Sequence, residues 1–130
     1  MVGRRALTSL IFVRIENLEQ NMKLNEYQKK ASEFAIYPAK GENFSYPTLG
    51  LVGEAGEVAE KVKKIIRDQD GKLTEDNKIE IIKELGDVLW YIAIMADEMG
   101  VNLEEVAVMN IDKLESRKNR GKLGGSGDNR

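Results

Sequence analysis

Apolar residues recur at helical spacing in four segments of the chain, with charged residues between them. Tyr27 and Ala31 in the first segment, and Ile81 and Leu85 in the third, fall on one side of a helix with about 3.6 residues per turn. The predicted helices span about residues 24–36, 48–67, 75–99 and 103–117. Leu, Ala, Glu and Lys outweigh a few β-branched clusters, and only two prolines occur. The pattern therefore predicts an all-α fold.

Local signals place the ends of these helices. The first is predicted to stop near Pro38, because a proline disfavours helix at the residue before it. The predicted N-caps of the other three helices are Thr48, Thr74 and Asn102. Glu105 stands in the capping-box position of the last helix. Gly100 follows the third helix as a typical C′ residue.

The second and third helices are each predicted to bury one apolar face against the rest of a bundle. On the second helix this face comprises Leu51, Ala55, Val58, Val62, Ile65 and Ile66. On the third it comprises Ile81, Ile82, Leu85, Val88, Leu89, Ile92, Met95 and Met99. Trp90 is expected in the core or in an interface.

The chain has 130 residues, which is room for one domain. Residues 1–21 are interpreted as an N-terminal extension that is not native, because Met22 begins a stretch that reads as a natural start. Residues 22–118 form the predicted helical domain, and residues 119–130 a flexible, glycine-rich basic tail. A chain this short buries only about 65% of its surface on folding. We therefore expect a four-helix bundle completed by dimerisation.

Composition removes several classes of chemistry. Cysteine and histidine are both absent, which excludes Ser-His-Asp and Cys-His catalysis and argues against a zinc or histidine-containing di-iron site. The net charge of −2 provides no global attraction to nucleic acid, although residues 113–130 carry six basic residues against two acids. No run approaches the roughly 20 apolar residues of a membrane span. We expect no membrane partner, and the cytoplasm is the default location.

Two acidic pairs lie beside the apolar faces of the second and third helices. Glu54 and Glu57, like Glu84 and Asp87, are three residues apart, so each pair lies on neighbouring turns. Such like charges repel one another unless a cation binds between them. Carboxylates without Cys or His favour a hard divalent ion, Mg²⁺ or Mn²⁺. A solvated helix surface is the better explanation of either pair taken alone, and only the two pairs together, each beside an in-helix glycine, leave both interpretations open.

In-helix glycines accompany both pairs. Gly53, Gly56 and Gly86 each cost roughly 1 kcal/mol relative to alanine in a helix. We interpret them as places where two backbones approach closely and bring the carboxylates within reach of a shared metal.

The residues GEAGE and ELGDVLWY resemble the E-x-x-E and E-x-x-D motifs of the MazG-like, all-α nucleoside triphosphate pyrophosphohydrolases. The similarity covers residues 22–130 and includes YQKKA, YPTLGL, NIDKLESR and GSGDNR. It implies a MazG-like four-helix bundle that hydrolyses nucleoside or deoxynucleoside triphosphates to the monophosphate and pyrophosphate with Mg²⁺. By match, the metal ligands would be Glu54, Glu57, Glu84 and Asp87.

One position departs from the family pattern. Many members carry a further glutamate where this chain has Gly53, although some dCTP-hydrolysing relatives also have glycine there. The number of bound metals and the identity of the general base therefore stay open. We assign the base to Glu57.

Substrate-binding candidates follow from the same resemblance. Asn110, Lys113 and Arg117 share one face of the last helix, in a stretch that the family uses for substrate. Lys64 is a further phosphate candidate, whereas Lys61 is expected to form an i, i+4 ion pair. Tyr91, one turn after Asp87, is the leading nucleobase candidate. The other aromatic candidates are Phe34, Tyr37, Phe44, Tyr46 and Trp90.

The expected partners are a nucleoside triphosphate and further copies of the chain, as a homodimer or homotetramer. An alternative function is a non-catalytic helical binding or oligomerisation module whose basic tail contacts RNA, with steep salt dependence. A purely structural helical oligomer is a third possibility, and it leaves the paired carboxylates beside glycines unexplained. Within the leading hypothesis the glycine-rich tail folds over bound phosphates.

Overall fold

The computed structural model describes residues 22–130, and the predicted extension 1–21 lies outside them. Four helices and no strand occur in this part of the chain, so the all-α prediction is confirmed. Helix α1 spans Leu24–Ser32, α2 Ser45–Gln69, α3 Glu75–Glu98 and α4 Leu103–Asn119.

Helices α2 and α3 form a long pair joined by a short turn, and α1 packs against α3. Helix α4 contacts α1 and α3 but not α2. The core lies where α1 and the start of α4 meet the C-terminal half of α3. Its buried side chains are Ala31, Ala35, Tyr37, Ala93, Ile94 and Leu103. Trp90 packs against this core as predicted, and its indole N–H donates to the carbonyl of Ala31 at 3.0 Å.

Gln28 fixes the position of α1. This buried side chain donates to a carboxylate oxygen of Asp97 at 2.8 Å and to the carbonyl of Val101 at 3.0 Å. Its amide oxygen accepts from the backbone N–H of Leu103 at 2.7 Å. One satisfied amide therefore ties α1 to the turn between α3 and α4.

The predicted C-terminal end of α1 is wrong, because the helix ends at Ser32 rather than near residue 36. The N–H groups of Glu33, Phe34 and Ala35 bond to carbonyls three residues earlier, which tightens the last turn. The chain then leaves the helical path, and Ala35 and Tyr37 are buried in the core.

The predicted N-cap Thr48 is also wrong, since α2 begins at Ser45. The Thr48 hydroxyl donates to the carbonyl of Phe44 at 2.7 Å instead of accepting from the backbone. A preceding side chain takes the capping role, because Asn43 Oδ1 accepts from the N–H of Tyr46 at 3.1 Å. Proline is tolerated early in α2 because the first turn has no intrahelical acceptors for its N–H groups.

The caps of the last two helices are confirmed. Thr74 Oγ1 accepts from the N–H of Asn77 at 3.2 Å. Glu105 Oε2 accepts from the N–H of Asn102 at 2.6 Å, as a capping box requires. Gly100 follows α3 with φ 67°, a left-handed conformation that favours glycine.

The single chain leaves most of the predicted α2 and α3 faces exposed, so their burial in a bundle completed by dimerisation stays a prediction. Ile65 is the only buried member of the predicted α2 face, and no member of the predicted α3 face is fully buried in the described chain. The buried side chains of α3 are Ala93, Ile94 and Ala96, which face the core around α1. The apolar surface of α3 is broader than one contact, so Ile82 and Leu85 stay about half exposed.

The close approach predicted at Gly53, Gly56 and Gly86 is likewise wrong within residues 22–130, since a Cβ added at any of them meets no atom within 4 Å. Gly50 is instead a glycine at which the packing leaves no room for a side chain. A Cβ there would lie 2.1 Å from the ring of Tyr91.

Among the helices of residues 22–130, none combines the length and the apolar character that crossing a membrane requires.

We expect Gly50→Ala and Gly53→Ala to change stability in opposite directions. The first variant overpacks the Tyr91 ring, which costs about 1–3 kcal/mol and outweighs a helix-propensity gain of about 1 kcal/mol. The second meets no neighbour and keeps the gain of about 1 kcal/mol. Urea unfolding of both variants at one protein concentration measures the difference. Equal midpoints would contradict the contact between Gly50 and Tyr91.

Candidate active site

Three carboxylates from two helices meet at the interface of α2 and α3. Glu54 of α2 and Glu84 and Asp87 of α3 each offer an oxygen, and these oxygens lie within 4.8 Å of one another. Glu54 and Glu84 are partly buried, and Asp87 is exposed. The pairing of α2 with α3 thus assembles the group that the two sequence motifs suggested.

The surroundings of this group disfavour the ionised form of its carboxylates. Burial raises the pKa of Glu54, and the charges of Asp87, Glu84 and Glu57 raise it further. A hydrogen bond with Glu84 acts in the same direction. The site therefore holds more negative charge than its surroundings neutralise.

Lys61 supplies part of the missing positive charge. Its Nζ lies 3.1 Å from Glu84 Oε1 and 4.0 Å from Glu80 Oε2. The hydrogen bond to Glu84 raises the pKa of Lys61. Lys61 forms an ion pair as predicted, but its partners lie across the helix pair rather than one turn back on α2. It links the two helices that carry the acids.

The donor set fits a hard divalent cation. All three grouped side chains offer carboxylate oxygens, and Mg²⁺ and Mn²⁺ prefer such ligands to nitrogen or sulfur. A cation would also relieve the repulsion that raises the pKa of Glu54. The fourth predicted ligand, Glu57, is exposed and lies outside the group, although its charge acts on both Glu54 and Lys61.

Tyrosines form one side of the site. Tyr91 is partly buried, and burial raises its pKa, with further contributions from Tyr46, Glu54 and Asp87. The Tyr91 ring also lies against Gly50, which is one turn after Tyr46 on α2. Tyr46 also stacks on Tyr37, with ring centroids 4.7 Å apart and planes 10° from parallel. Two nucleobase candidates therefore lie together beside the acids.

Tyr27 is a neighbour of the site that the sequence did not reveal. Burial raises its pKa first, and the charge of Asp87 raises it further. Helical periodicity placed Tyr27 only on the apolar face of α1. Its proximity to Asp87 depends on the packing of α1 against α3, which periodicity does not specify.

Lys64 is not brought to the acidic group. Its Nζ lies 3.5 Å from Glu60 Oε1, one turn back along α2. Glu60 also pairs with Lys63 at 2.6 Å. These exposed ion pairs have small energies, so they leave Lys64 able to move to another anion.

The cations of α4 pair with groups other than the grouped acids, and α4 does not contact α2, which carries Glu54. Asn110 is exposed. Arg117 is only 5% exposed, and its Nη2 donates to the carbonyl of Asp128 at 2.7 Å and to Asp128 Oδ1 at 3.1 Å. Lys113 Nζ lies 3.3 Å from the same carboxylate oxygen. Two predicted phosphate ligands thus share an anionic partner from the tail.

The tail folds back on the end of α4. Arg120 Nη2 donates to the carbonyl of Arg130 at 2.8 Å, and Arg130 Nε donates to that of Lys122 at 3.3 Å. Hydrogen bonds from Arg117 and then Lys113 lower the pKa of Asp128. The flexibility of residues 119–130 stays a prediction, while the structure gives the tail a defined set of partners.

Comparison with known proteins identifies the class. A family model described as the MazG nucleotide pyrophosphohydrolase domain matches residues 44–121, which include both acidic motifs. The chain belongs to this family, and the family implies a nucleotide substrate.

Two relatives extend the comparison. The chain is similar to "Gene 37 protein" of Mycobacterium phage L5, with 53% identity over 114 residues that cover 84% of this chain and all of the relative. It is also similar to "Uncharacterized protein YvdC" of Bacillus subtilis (strain 168), with 39% identity over 104 residues, 74% of this chain and 96% of the relative. No solved structure gives a significant match.

We expect Glu54→Gln to stabilise the metal-free protein and to weaken its response to metal. Removing one charge from the crowded group relieves repulsion. A wild-type protein at a hundredfold excess of Mn²⁺ over Kd gains about 2.7 kcal/mol, and the variant should lose most of that gain. Thermal unfolding with and without Mn²⁺ measures both effects.

Glu60→Gln is the matched control, since Glu60 lies on the same helix and pairs with Lys63 and Lys64. It should keep the full stabilisation by Mn²⁺. If both variants respond alike, the grouped carboxylates are not the metal site.

Proposed function

We propose that this protein hydrolyses nucleoside or deoxynucleoside triphosphates to the monophosphate and pyrophosphate, in the maintenance of the nucleotide pool. The observation that carries the proposal is the grouping of Glu54, Glu84 and Asp87 across α2 and α3, within a MazG nucleotide pyrophosphohydrolase domain. Cleavage of a phosphoanhydride needs charge neutralisation and positioning more than a nucleophilic side chain. A chain without cysteine or histidine can meet that need.

The acidic group would hold Mg²⁺, with Mn²⁺ as a substitute. Glu54, Glu84 and Asp87 are the proposed ligands, and Glu57 joins them by rotating its exposed side chain toward the group. Bound there, the cation would neutralise phosphate oxygens and polarise the anhydride. Lys61 holds Glu84 in place through its 3.1 Å ion pair.

Glu57 is the proposed general base. It is exposed, so it can accept a proton from an attacking water and release it to solvent. Its position one turn from Glu54 places it at the edge of the acidic group rather than inside it. With Gly53 in place of the further glutamate that many members carry, the chain has fewer carboxylates for this task.

Phosphate and base would be held by different elements. Asn110, Lys113 and Arg117 on α4 are the proposed phosphate ligands, with Lys64 as a further one. Tyr91 and Tyr46 are the proposed contacts for the nucleobase, because Tyr91 lies one turn after Asp87 and against Gly50, which is one turn from Tyr46. An aromatic surface with a few polar groups suits a planar base.

We further propose that the site is completed by a second copy of the chain, in a homodimer or a dimer of dimers. Helix α4 does not contact α2, and its cations Lys113 and Arg117 pair with Asp128 rather than with the acids of the same chain. Large apolar side chains are also exposed on three helices, as a bundle interface would require. They include Val52, Ile66, Ile82, Leu85, Val108, Met109 and Ile111.

The alternative, a binding module that contacts RNA through its basic tail, has less support. Three of the tail-region arginines, Arg117, Arg120 and Arg130, already donate to oxygens of the tail itself. They would have to break these bonds to contact phosphates of RNA. We place the proposed hydrolase in the cytoplasm, where its substrates are.

A panel of nucleoside triphosphates, with Mg²⁺ or with EDTA, tests the proposed reaction. We expect pyrophosphate and the monophosphate to appear in the presence of metal alone. Glu57→Gln should lower kcat by about a hundredfold or more, because it removes the proton acceptor. Asp87→Asn should lower activity through metal binding, whereas Glu60→Gln should keep it. Turnover that persists in EDTA or in Asp87→Asn would contradict the proposal.

Mixing two inactive variants tests the composite site. Asp87→Asn lacks a proposed metal ligand, and Lys113→Ala lacks a proposed phosphate ligand. If α4 serves the acids of the partner, refolding the two chains together should give some dimers with one intact site, and activity above that of either variant. A mixture no more active than the average of its components would show that each chain holds a whole site.

A further inference from the structure

Glu98, the last residue of α3, binds the loop between α1 and α2. Its Oε1 accepts from the hydroxyl of Tyr37 and from the N–H of Gly41, the latter at 2.8 Å. Its Oε2 accepts from the N–H of Asn43 at 3.0 Å. One carboxylate therefore holds three points of a loop of a dozen residues, 33–44.

The loop adopts a conformation that requires such support. Ala39 has φ 54° and Gly41 has φ 95°, and an alanine is disfavoured in this left-handed region. A carboxylate at the C-terminal end of a helix is itself unfavourable, because the helix dipole is negative there. The hydrogen bonds from the loop lower the pKa of Glu98, with that from Tyr37 first. Glu98 thus stabilises the loop, while its charge is unfavourable for α3.

The supported loop leads into α2, whose second residue is Tyr46. Asn43 donates to the carbonyl of Pro38 at 2.8 Å and accepts from the N–H of Tyr46 at 3.1 Å. Tyr37, which Glu98 holds by its hydroxyl, stacks on the Tyr46 ring. Glu98 therefore fixes Tyr46 in two ways, through the hydrogen bonds of Asn43 and through the stacked ring of Tyr37.

Tyr46 lies one turn before Gly50 on α2, and Gly50 lies against the ring of Tyr91. Tyr91 follows Asp87 of the acidic group by one turn on α3. Although Tyr37 covers one face of its ring, Tyr46 remains 43% exposed. The ring thus offers an open surface for a planar group close to the carboxylates.

We propose that Glu98 is a positioning residue for nucleobase binding: it fixes the loop 33–44 so that Tyr46 presents its ring beside the acidic group. The inference rests on the proposed function in that the planar ligand is the base of a nucleotide. It concerns binding of the base and not the hydrolytic step. The triphosphate is held by other residues, so Glu98 acts on one part of the substrate only.

Two probes separate these parts. The first is a nucleoside triphosphate with an imido bridge between its α and β phosphates, for each of the four bases, and the second is inorganic tripolyphosphate. Calorimetry in the presence of Mn²⁺ measures both affinities for the wild type, for Glu98→Gln and for Glu33→Gln. The last variant is the control, because it removes an equal charge from an exposed residue.

We expect Glu98→Gln to weaken binding of the best nucleotide about tenfold, since an amide nitrogen replaces one acceptor and faces loop donors. Tripolyphosphate affinity should stay unchanged, and Glu33→Gln should match the wild type for both probes. A merely structural role for Glu98 would weaken both probes together or neither, and either result would overturn the inference.

Tyr46→Ala provides a second test that leaves Glu98 intact. It should give the same selective loss, and the double variant with Glu98→Gln should lose little more than either single variant, because both act through one ring. Additive losses would overturn the inference. If Glu98→Gln fails to fold, Tyr37→Phe is the substitute, because it removes a single donor to Glu98 and keeps the stacked ring. We then expect a smaller loss of affinity for the nucleotide and no change for tripolyphosphate.

The outcome for hydrolysis is separate. If the wild type binds nucleotides and releases no pyrophosphate, the proposed function fails while the comparison of the two probes still decides the role of Glu98. If the wild type binds tripolyphosphate but no nucleotide, the proposed base site is contradicted and the inference fails. In an active enzyme, Glu98→Gln should raise KM and leave kcat within about twofold.

Discussion

The pairing of α2 with α3 is the contact on which the candidate site depends, because it sets the repulsion among Glu54, Glu84 and Asp87. The pairing of α2 with α3 is extensive, and it brings these carboxylates within 4.8 Å of one another. Lys61 offsets one charge across the helix pair. Burial first, and then the charge that remains, raise the pKa of Glu54, so the acids are held in an arrangement that a cation would stabilise. The grouped carboxylates make this region less stable than uncharged side chains would, and such a cost is common at functional sites.

Helix α3 connects the elements that a nucleotide would contact. Its middle carries Glu84 and Asp87, and its last residue, Glu98, holds the loop that leads to Tyr46. Asp87 and Glu98 lie about 16 Å apart along the helix. Between them, Ala93 and Ile94 are fully buried against α1. A packed helix is rigid, so the acidic group and the aromatic ring keep a fixed relation that a flexible loop alone could not provide.

The chain leaves much of its apolar surface uncovered. Met109 is 73% exposed and Ile66 is 65% exposed, on helices that do not contact each other. Arg117 is instead buried beneath the tail, where Asp128 pairs with it and with Lys113. In the composite site that we propose, a second copy covers this apolar surface and brings the cations of one chain to the acids of the other. Displacing the Asp128 carboxylate would then free those cations for phosphate. Assembly and substrate binding would share these contacts.

The sequence by itself determined the features that depend on neighbouring residues. Helical periodicity, the caps at Thr74 and Asn102, and the two acidic pairs follow from local hydrogen bonding and spacing, and they were predictable. Tertiary structure decided the conformation of the loop 33–44, because Tyr37 is buried and bonds to Glu98, which is 61 positions away in the sequence. It also decided that Gly50, rather than Gly53, lies against an aromatic ring, and that Lys61 pairs across two helices. Periodicity specifies which residues share a face, whereas the partner of that face depends on contacts between distant segments.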